Sequence, residues 1–394
     1  MKKIIFLLLS FLIFSTALFS KDFFDGRFLE LKAGSNVSFS NNTYSLDQLF
    51  VQDLVIDLRD LADNVPASGF SVAGNASPLA ALKFRIGGLS LGLNAGVEMH
   101  EQMNIAKDLF DFLGYGNEIG KTISVDVDNN LDIFAFVNFD LAFEVKRFQI
   151  KVTPSFFAPL FATTGTVGTV SILNDSYGNV IARLDANTGL YTTFNMEEKK
   201  FNVEDVVKSA GFDIAGQVNV PISEKLKLEA KTRIPIIPGR LNKMTLISGT
   251  FLMEANALSM SDMTTYKNFD YANDLDASYQ VNRPMKVNAY FDYKPMAKLL
   301  DIRAGFGLGI NHPFTENTTY YPEYYFGIDL NLLRMFTFKL SSEYTDKVYI
   351  HQFGFDFNVR FIELDVGISA QSNDFVKSFT GTGLGAYAFI TLGI

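Results

Sequence analysis

The sequence predicts an all-β fold: a membrane-spanning antiparallel up-and-down β-barrel of about 14 strands, with short helices in long external loops. Three observations predict it. Apolar and polar residues alternate over runs of nine to thirteen residues. No apolar run long enough for a membrane-spanning helix follows Lys21. Short and long connections take turns along the chain, as inner turns and external loops do in outer-membrane barrels.

The chain of 394 residues is 48% hydrophobic yet 20% charged, with 39 Phe and 29 Gly, so much apolar surface has to be placed. It has no Cys, which excludes a disulfide scaffold, a thiolate metal site, a Cys nucleophile and a lipid-modified Cys. The net charge of −9 excludes a general nucleic-acid binder.

Residues 1–20 read as a signal peptide. Lys2 and Lys3 precede the apolar run Ile4 to Phe14, and Ser15, Thr16, Ala17 and Ser20 supply the small residues of a cleavage region. The domain expectation is therefore a signal peptide over 1–20 and an outer-membrane barrel over 21–394. Removing two of the 34 basic residues leaves 32 against 43 acidic ones, a net charge of −11.

The alternation sets the strands. Phe336, Phe338, Leu340, Ser342 and Tyr344 interleave with Thr337, Lys339, Ser341 and Glu343, and Ile302, Ala304, Phe306, Leu308 and Ile310 with Arg303, Gly305, Gly307 and Gly309. Globular strands average about five or six residues, whereas a tilted membrane strand needs ~9–11. The charged and glycine-rich face is the one a wet lumen takes. Read this way, the strands lie near 27–39, 80–86, 89–99, 131–145, 148–158, 211–222, 226–235, 285–293, 299–311, 323–331, 335–344, 348–360, 362–372 and 383–394. Long loops are expected at 40–79, 100–130, 159–210, 236–284 and 312–322. In the last strand, Leu384, Ala386, Ala388, Ile390, Leu392 and Ile394 form one apolar face. This strand must pair with the first, because an open edge in lipid strands its backbone groups. Tyr320, Tyr321, Tyr324 and Tyr325 are expected at the outer rim, and Phe148, Phe336 and Phe361 near the inner turns. A soluble β protein that packs these aromatics internally is the alternative.

Two loop segments have helical spacing. Leu46, Leu49, Phe50, Leu54, Leu58 and Leu61 mark one over 46–61. Met103, Ala106, Leu109, Phe110 and Leu113 mark another over 103–113, closed by Gly114. They read either as a lid packed on neighbouring loops or as an apolar gate over the barrel mouth. In the second reading Met103, Leu109, Phe110 and Leu113 bind the ligand.

Motifs for chemistry are absent. His100, His312 and His351 have no metal-ligand spacing. Asp126, Asp128 and Asn130 imitate a calcium loop, but Leu131 and Val137 occupy its glycine and closing glutamate positions. Gly88-Leu89-Ser90-Leu91-Gly92 opens an alternating strand and lacks the strand–turn–helix context of a nucleophile elbow. The expectation is a non-enzyme without cofactor or metal. Arg233, Arg303, Lys339, Glu343, Asp356, Arg360 and Asp365 are expected to line the lumen, either selecting solutes or forming a hydrated, mutually paired wall.

The strand count, the helical stretches 46–61 and 103–113 and the hairpins Lys286–Asn311 and Tyr324–Tyr344 give the chain an architecture that resembles bacterial outer-membrane β-barrels. Among these it is similar to the long-chain fatty-acid transporter (FadL-like) family. The resemblance implies binding of small hydrophobic molecules outside and passage through a gated wall opening. The chain departs from the family in having few residues before the first strand, no early Asn-Pro-Ala segment and a terminal Ile394. The expected function is passive uptake of small hydrophobic, fatty-acid-like molecules. The alternatives are a water-filled general porin and a surface-exposed structural or adhesive barrel with partner-binding loops. The expected partners are outer-membrane lipid, the barrel-assembly machinery and the hydrophobic substrate, for a monomer in the bacterial outer membrane.

Overall fold

The computed structural model describes residues 27–45, 57–116, 118–163, 165–177, 179–194, 202–256, 259–296, 299–314, 318–332, 335–359 and 361–394. The expected signal segment and most of the expected helix over 46–61 lie outside these residues.

The alternating runs form one antiparallel sheet of nineteen strands. They are β1 (Leu29–Asn41), β2 (Phe70–Ala76), β3 (Leu79–Ile86), β4 (Leu89–Ile105), β5 (Thr122–Val145), β6 (Phe148–Thr163), β7 (Thr166–Asn174), β8 (Asn179–Thr192), β9 (Gly211–Pro221), β10 (Leu226–Ile237), β11 (Gly239–Asn256), β12 (Ser259–Val281), β13 (Met285–Met296), β14 (Leu300–Asn311), β15 (Thr319–Leu332), β16 (Phe336–Thr345), β17 (Val348–Val359), β18 (Ile362–Ser372) and β19 (Gly383–Gly393). Among the described residues three α-helices interrupt them, α1 (Leu58–Asn64), α2 (Lys107–Tyr115) and α3 (Val203–Lys208), with a short 3-10 turn at Lys377–Phe379.

Five strand pairs act as single staves. β2 and β3 pair with β1 in one continuous register, Val37 opposite Ala76 and Gly34 opposite Leu79. Ser77 and Pro78 separate them; Ser77 still donates to the Asn36 carbonyl at 2.8 Å, whereas Pro78 has no N–H to give the ladder. In the same way β6 continues into β7 along β5, and β9 extends β8 beside them. β10 runs on into β11 and β12 into β13. The circuit therefore has fourteen staves: β1, β2–β3, β4, β5, β6–β7, β8–β9, β10–β11, β12–β13 and then β14 to β19 singly. β19 closes on β1, with Leu31 opposite Leu392 and Phe39 opposite Leu384. The closed, all-β antiparallel architecture expected from the alternation is present.

The wall is uneven in height. β16 has 10 residues and β5 has 24. At ~3.3 Å per residue, β16 is about the ~30 Å of a bilayer core and β5 is more than twice that. Staves four to eight consequently rise far above the rest. The long loops expected over 159–210 and 236–284 are in large part these strand extensions. Their residues alternate weakly because both faces of the extension meet water. Tyr266 and Tyr271 of β12 are 57% and 64% exposed. Among the described residues β12 pairs only with β11.

Outward and inward faces follow the period of two. Leu89, Leu91 and Leu93 of β4, Phe306 and Leu308 of β14, and Leu384, Ile390 and Leu392 of β19 are exposed on the outside. Such a continuous apolar exterior on a closed barrel is the surface of an outer-membrane-type barrel, which meets hydrocarbon rather than water. The expected rim aromatics split between the faces. Tyr320 is exposed and Tyr324 stacks on Tyr344, its register partner, whereas Tyr321 is buried inside and Tyr325 packs on the lumen-facing Tyr290. A strand sends successive side chains to opposite faces, so four neighbouring tyrosines cannot all face lipid.

Candidate functional site: the lumen and its wall seam

The interior is polar and divided. An outer chamber of about 630 Å³ is lined by Asn75, His100, Asp132, Phe134, Tyr279 and His312 among others. An inner chamber of about 620 Å³ is lined by Asn94, Glu98, Lys151, Arg233, Lys286 and Glu343 among others. Asn75, His100, Pro284 and Asp346 line both and form the waist between them. His100 Nδ1 lies 2.8 Å from Asn75 Oδ1 there.

A buried guanidinium lies next in sequence to the waist residue Pro284. Arg283, in the joint between β12 and β13, is only 3% exposed. It donates from Nη2 to Glu98 Oε1 at 2.8 Å and from Nε to Glu98 Oε2 at 3.1 Å. Its Nη1 donates to Asp213 Oδ2 and to Ser155 Oγ, both at 2.9 Å. Its guanidinium also sits 5.1 Å from the Phe136 ring centre. Beside it, Phe134, Phe136, Phe157, Leu241 and Val281 form a small apolar core. No sequence signal marked Arg283, because its partners come from β4, β6 and β9, up to 185 positions away.

The wall has a seam at the same height. β10 pairs with β13 from Leu226 opposite Tyr293 to Arg233 opposite Lys286. Pairing resumes only at Gly239 opposite Val281, between β11 and β12. Residues 234–238 therefore face 282–285 with no ladder bonds between them. Pro235, Pro238 and Pro284 fall in this stretch, and a proline cannot donate to a ladder. On its far side the strand stays attached, since Ile234, Pro235 and Ile237 pair with β9. The Pro284 carbonyl instead accepts from Arg233 Nε at 3.0 Å. Outside, Ile234, Ile236 and Ile237 are exposed.

The residues expected to line the lumen sit as follows. Arg303 binds Glu229 Oε1 at 2.6 Å and Asp292 Oδ1 at 3.0 Å. Lys339 reaches Asp365 at 2.9 Å and Asp356 at 3.7 Å. Arg233 also approaches Glu98 at 3.5 Å. Glu343 lines the inner chamber. Arg360 lies outside the described residues. The inner glycines serve ring packing: a methyl at Gly309 would overlap Tyr321, and one at Gly354 or Gly367 would overlap Tyr387.

The outer rim is tied down at the β16–β17 turn. Asp346 and Lys347 both have positive φ, as a tight two-residue hairpin turn requires. Asp346 accepts from Tyr321 Oη at 2.7 Å and pairs with Lys286 at 3.0 Å. Burial works to raise its carboxyl, but Lys286, His100 and the Tyr321 hydrogen bond outweigh burial and hold it well below the usual carboxylate range.

Of the expected ligand-binding residues, Leu109 and Phe110 come together in one apolar cluster. Phe110 is buried with Leu61 and Val65, and Leu109 packs against them beside Tyr44, Phe70 and Ile105. Phe70 of β2 and Ile105 of β4 supply the strand side of this cluster. Leu113 is 40% exposed. Met103 belongs to β4, opposite Val72. The second helix starts at Lys107, not near 103, because the β4–β2 ladder runs to Ile105 and takes the first residues of the helical pattern. In the first segment the described helix begins at Leu58, capped by Asp57.

No protein-family model matches the sequence, and a search of curated proteins finds no match. Among solved structures the chain is similar to the Pseudomonas putida toluene transporter TodX, at 7% identity over 93% of this chain and 90% of that one, with a TM-score of 0.44. It is similar to a Pseudomonas aeruginosa FadL homologue at 9% identity over 94% and 91%, with a TM-score of 0.42. The translocator domain of the Neisseria meningitidis autotransporter NalP has 7% identity over 100% and 96%, with a TM-score of 0.33.

Proposed function

We propose that this outer-membrane barrel is a non-catalytic conduit for passive uptake of small hydrophobic molecules, and that they leave through the side of the wall. The observation that carries this is the seam between 234–238 and 282–285. Its inner side carries Arg233 and Pro284, both in the chamber lining, and its outer side carries exposed isoleucines. An apolar solute that leaves there enters lipid without crossing the aqueous space beyond the inner mouth. Separating the two strands breaks no ladder bond, but both the Arg233–Pro284 contact and the buried Arg283–Asp213 ion pair across the seam have to give.

The sequence has no Cys, so a seam cross-link can be placed cleanly. Ile234→Cys with Met285→Cys, joined by a short thiol cross-linker, should reduce uptake of a pyrene-labelled fatty acid by cells carrying the protein. Cleaving the linker should restore it. Equal uptake with and without the cross-link would remove the wall route.

A second reading is favoured by the lining. Asn94, Glu98, Lys151, Lys286 and Glu343 make the inner chamber a wet space, as a water-filled porin has. Swelling of vesicles in an uncharged sugar alcohol tests it, and no swelling above protein-free vesicles would reject it.

A further inference from the structure

The outer chamber holds hydrogen-bonding groups that the protein itself leaves unused. β4 and β5 pair there with His100 opposite Asp132 and Gln102 opposite Asn130. All four residues line the chamber. Directly paired residues share a face and stand about 5 Å apart, and the next pair on that face lies about 7 Å along the strands. Among the described residues the side chains of Gln102, Asn130 and Asp132 make no hydrogen bond or ion pair. His100 is held at Nδ1 by Asn75 Oδ1. A carboxamide oxygen only accepts, so Nδ1 carries the proton and Nε2 is left as an acceptor.

An aromatic ring lies beside this patch. Tyr279 lines the same chamber, and its ring stacks on Tyr191 at 4.4 Å between centres, which fixes its plane. The Asp132 carboxylate acts electrostatically on the Tyr279 hydroxyl, so ring and patch are neighbours. A chamber of about 630 Å³ has room for one small solute with water around it.

The donor set selects the kind of solute. Carboxamides donate and accept, as alcohol hydroxyls do, and Asp132 and His100 Nε2 add acceptors. A polyhydroxylated ring answers both kinds of group at once. Its C–H face also meets the negative face of an aromatic ring. An organic anion would face Asp128 and Asp132 of the lining with like charge. An ammonium ion would leave the carboxamide N–H groups without an acceptor.

We propose that the outer chamber is a binding site for one neutral hexopyranose. Its hydroxyls lie on Gln102, Asn130, Asp132 and His100 Nε2, and its C–H face lies on Tyr279. The site goes beyond the uptake proposal and stands whether or not the seam opens, because it is read by binding rather than by flux.

The test is saturation-transfer NMR titration of the full chain in a phosphocholine detergent, which carries no sugar. The probes are D-glucose, D-galactose and D-mannose. At least one should bind, and its uronic acid should bind more weakly. Gln102→Leu with Asn130→Leu should raise the dissociation constant about thirtyfold, one ordinary hydrogen bond for each side chain. Asp132→Asn keeps the shape and removes the charge, so it should narrow the gap between the sugar and its uronic acid. Heat-modifiable gel mobility identifies the folded variants. No binding of any of the three sugars to the natural sequence overturns the inference. So does a uronic acid that binds as tightly as its parent sugar, or binding that the Gln102→Leu, Asn130→Leu pair leaves unchanged.

Discussion

Arg283 and Glu98 meet through two charge-assisted hydrogen bonds, at 2.8 and 3.1 Å, although their staves are the eighth and the third of the ring. The guanidinium has left water almost entirely and has found carboxylates from two separate strands. Burying it costs desolvation energy that only such complete pairing offsets. It ties the seam side of the wall to the strands across from it.

Removing this cation leaves Glu98 and Asp213 buried without their partner. Arg283→Ala should therefore destabilise the barrel by ~3–5 kcal/mol, while Arg283→Met, which keeps the packing on Phe136, should cost less. Urea titrations read by gel mobility in detergent check this. Equal stability of Arg283→Ala and the natural sequence would show that the guanidinium is not structural.

Charge placement tests the two faces of β16. Phe338 faces outward and is 38% exposed, so Phe338→Arg near the bilayer midplane should cost ~2–4 kcal/mol. Lys339→Gln on the inner face should cost less, ~1–2 kcal/mol, since it removes a charge-assisted contact with Asp365 in a wet lumen. The same titration in lipid vesicles measures both. A larger cost for Lys339→Gln would reverse the face assignment.

The Asp346 contact sets a pH signature. Its carboxyl is depressed in the folded protein, so its contribution is fully present above the ordinary value of 3.8 and fades as pH falls through the folded value. The melting-temperature gap between the natural sequence and Asp346→Asn should be open at neutral pH and should narrow only below pH 3.8. A gap that closes between pH 7 and 5 would contradict the Lys286 and Tyr321 contacts.

Much of this was legible in the residues. The alternation of Phe336 to Tyr344 fixed a strand and its two faces, and the apolar face of Leu384 to Leu392 required closure on β1. Arg303 and Lys339 could be placed on the inner face from parity alone. The helix over 58–64 was visible in Leu58 and Leu61, but its packing on Phe110 of α2 was not. The extended staves were misread as loops, since β7, β8, β11 and β12 lack the apolar face that makes a strand readable.

By itself the sequence determined the period, the closure and the sorting of charge from hydrocarbon. Each of those depends on residues within one strand and on the solvent that strand meets. Only the tertiary structure decided the waist and the seam. Those arise where strands distant in the chain come together: Arg283 with Glu98, and three prolines that leave 234–238 and 282–285 unladdered. Local patterning holds no information about which strands face each other across a lumen, because that depends on how many staves the ring contains and how they tilt.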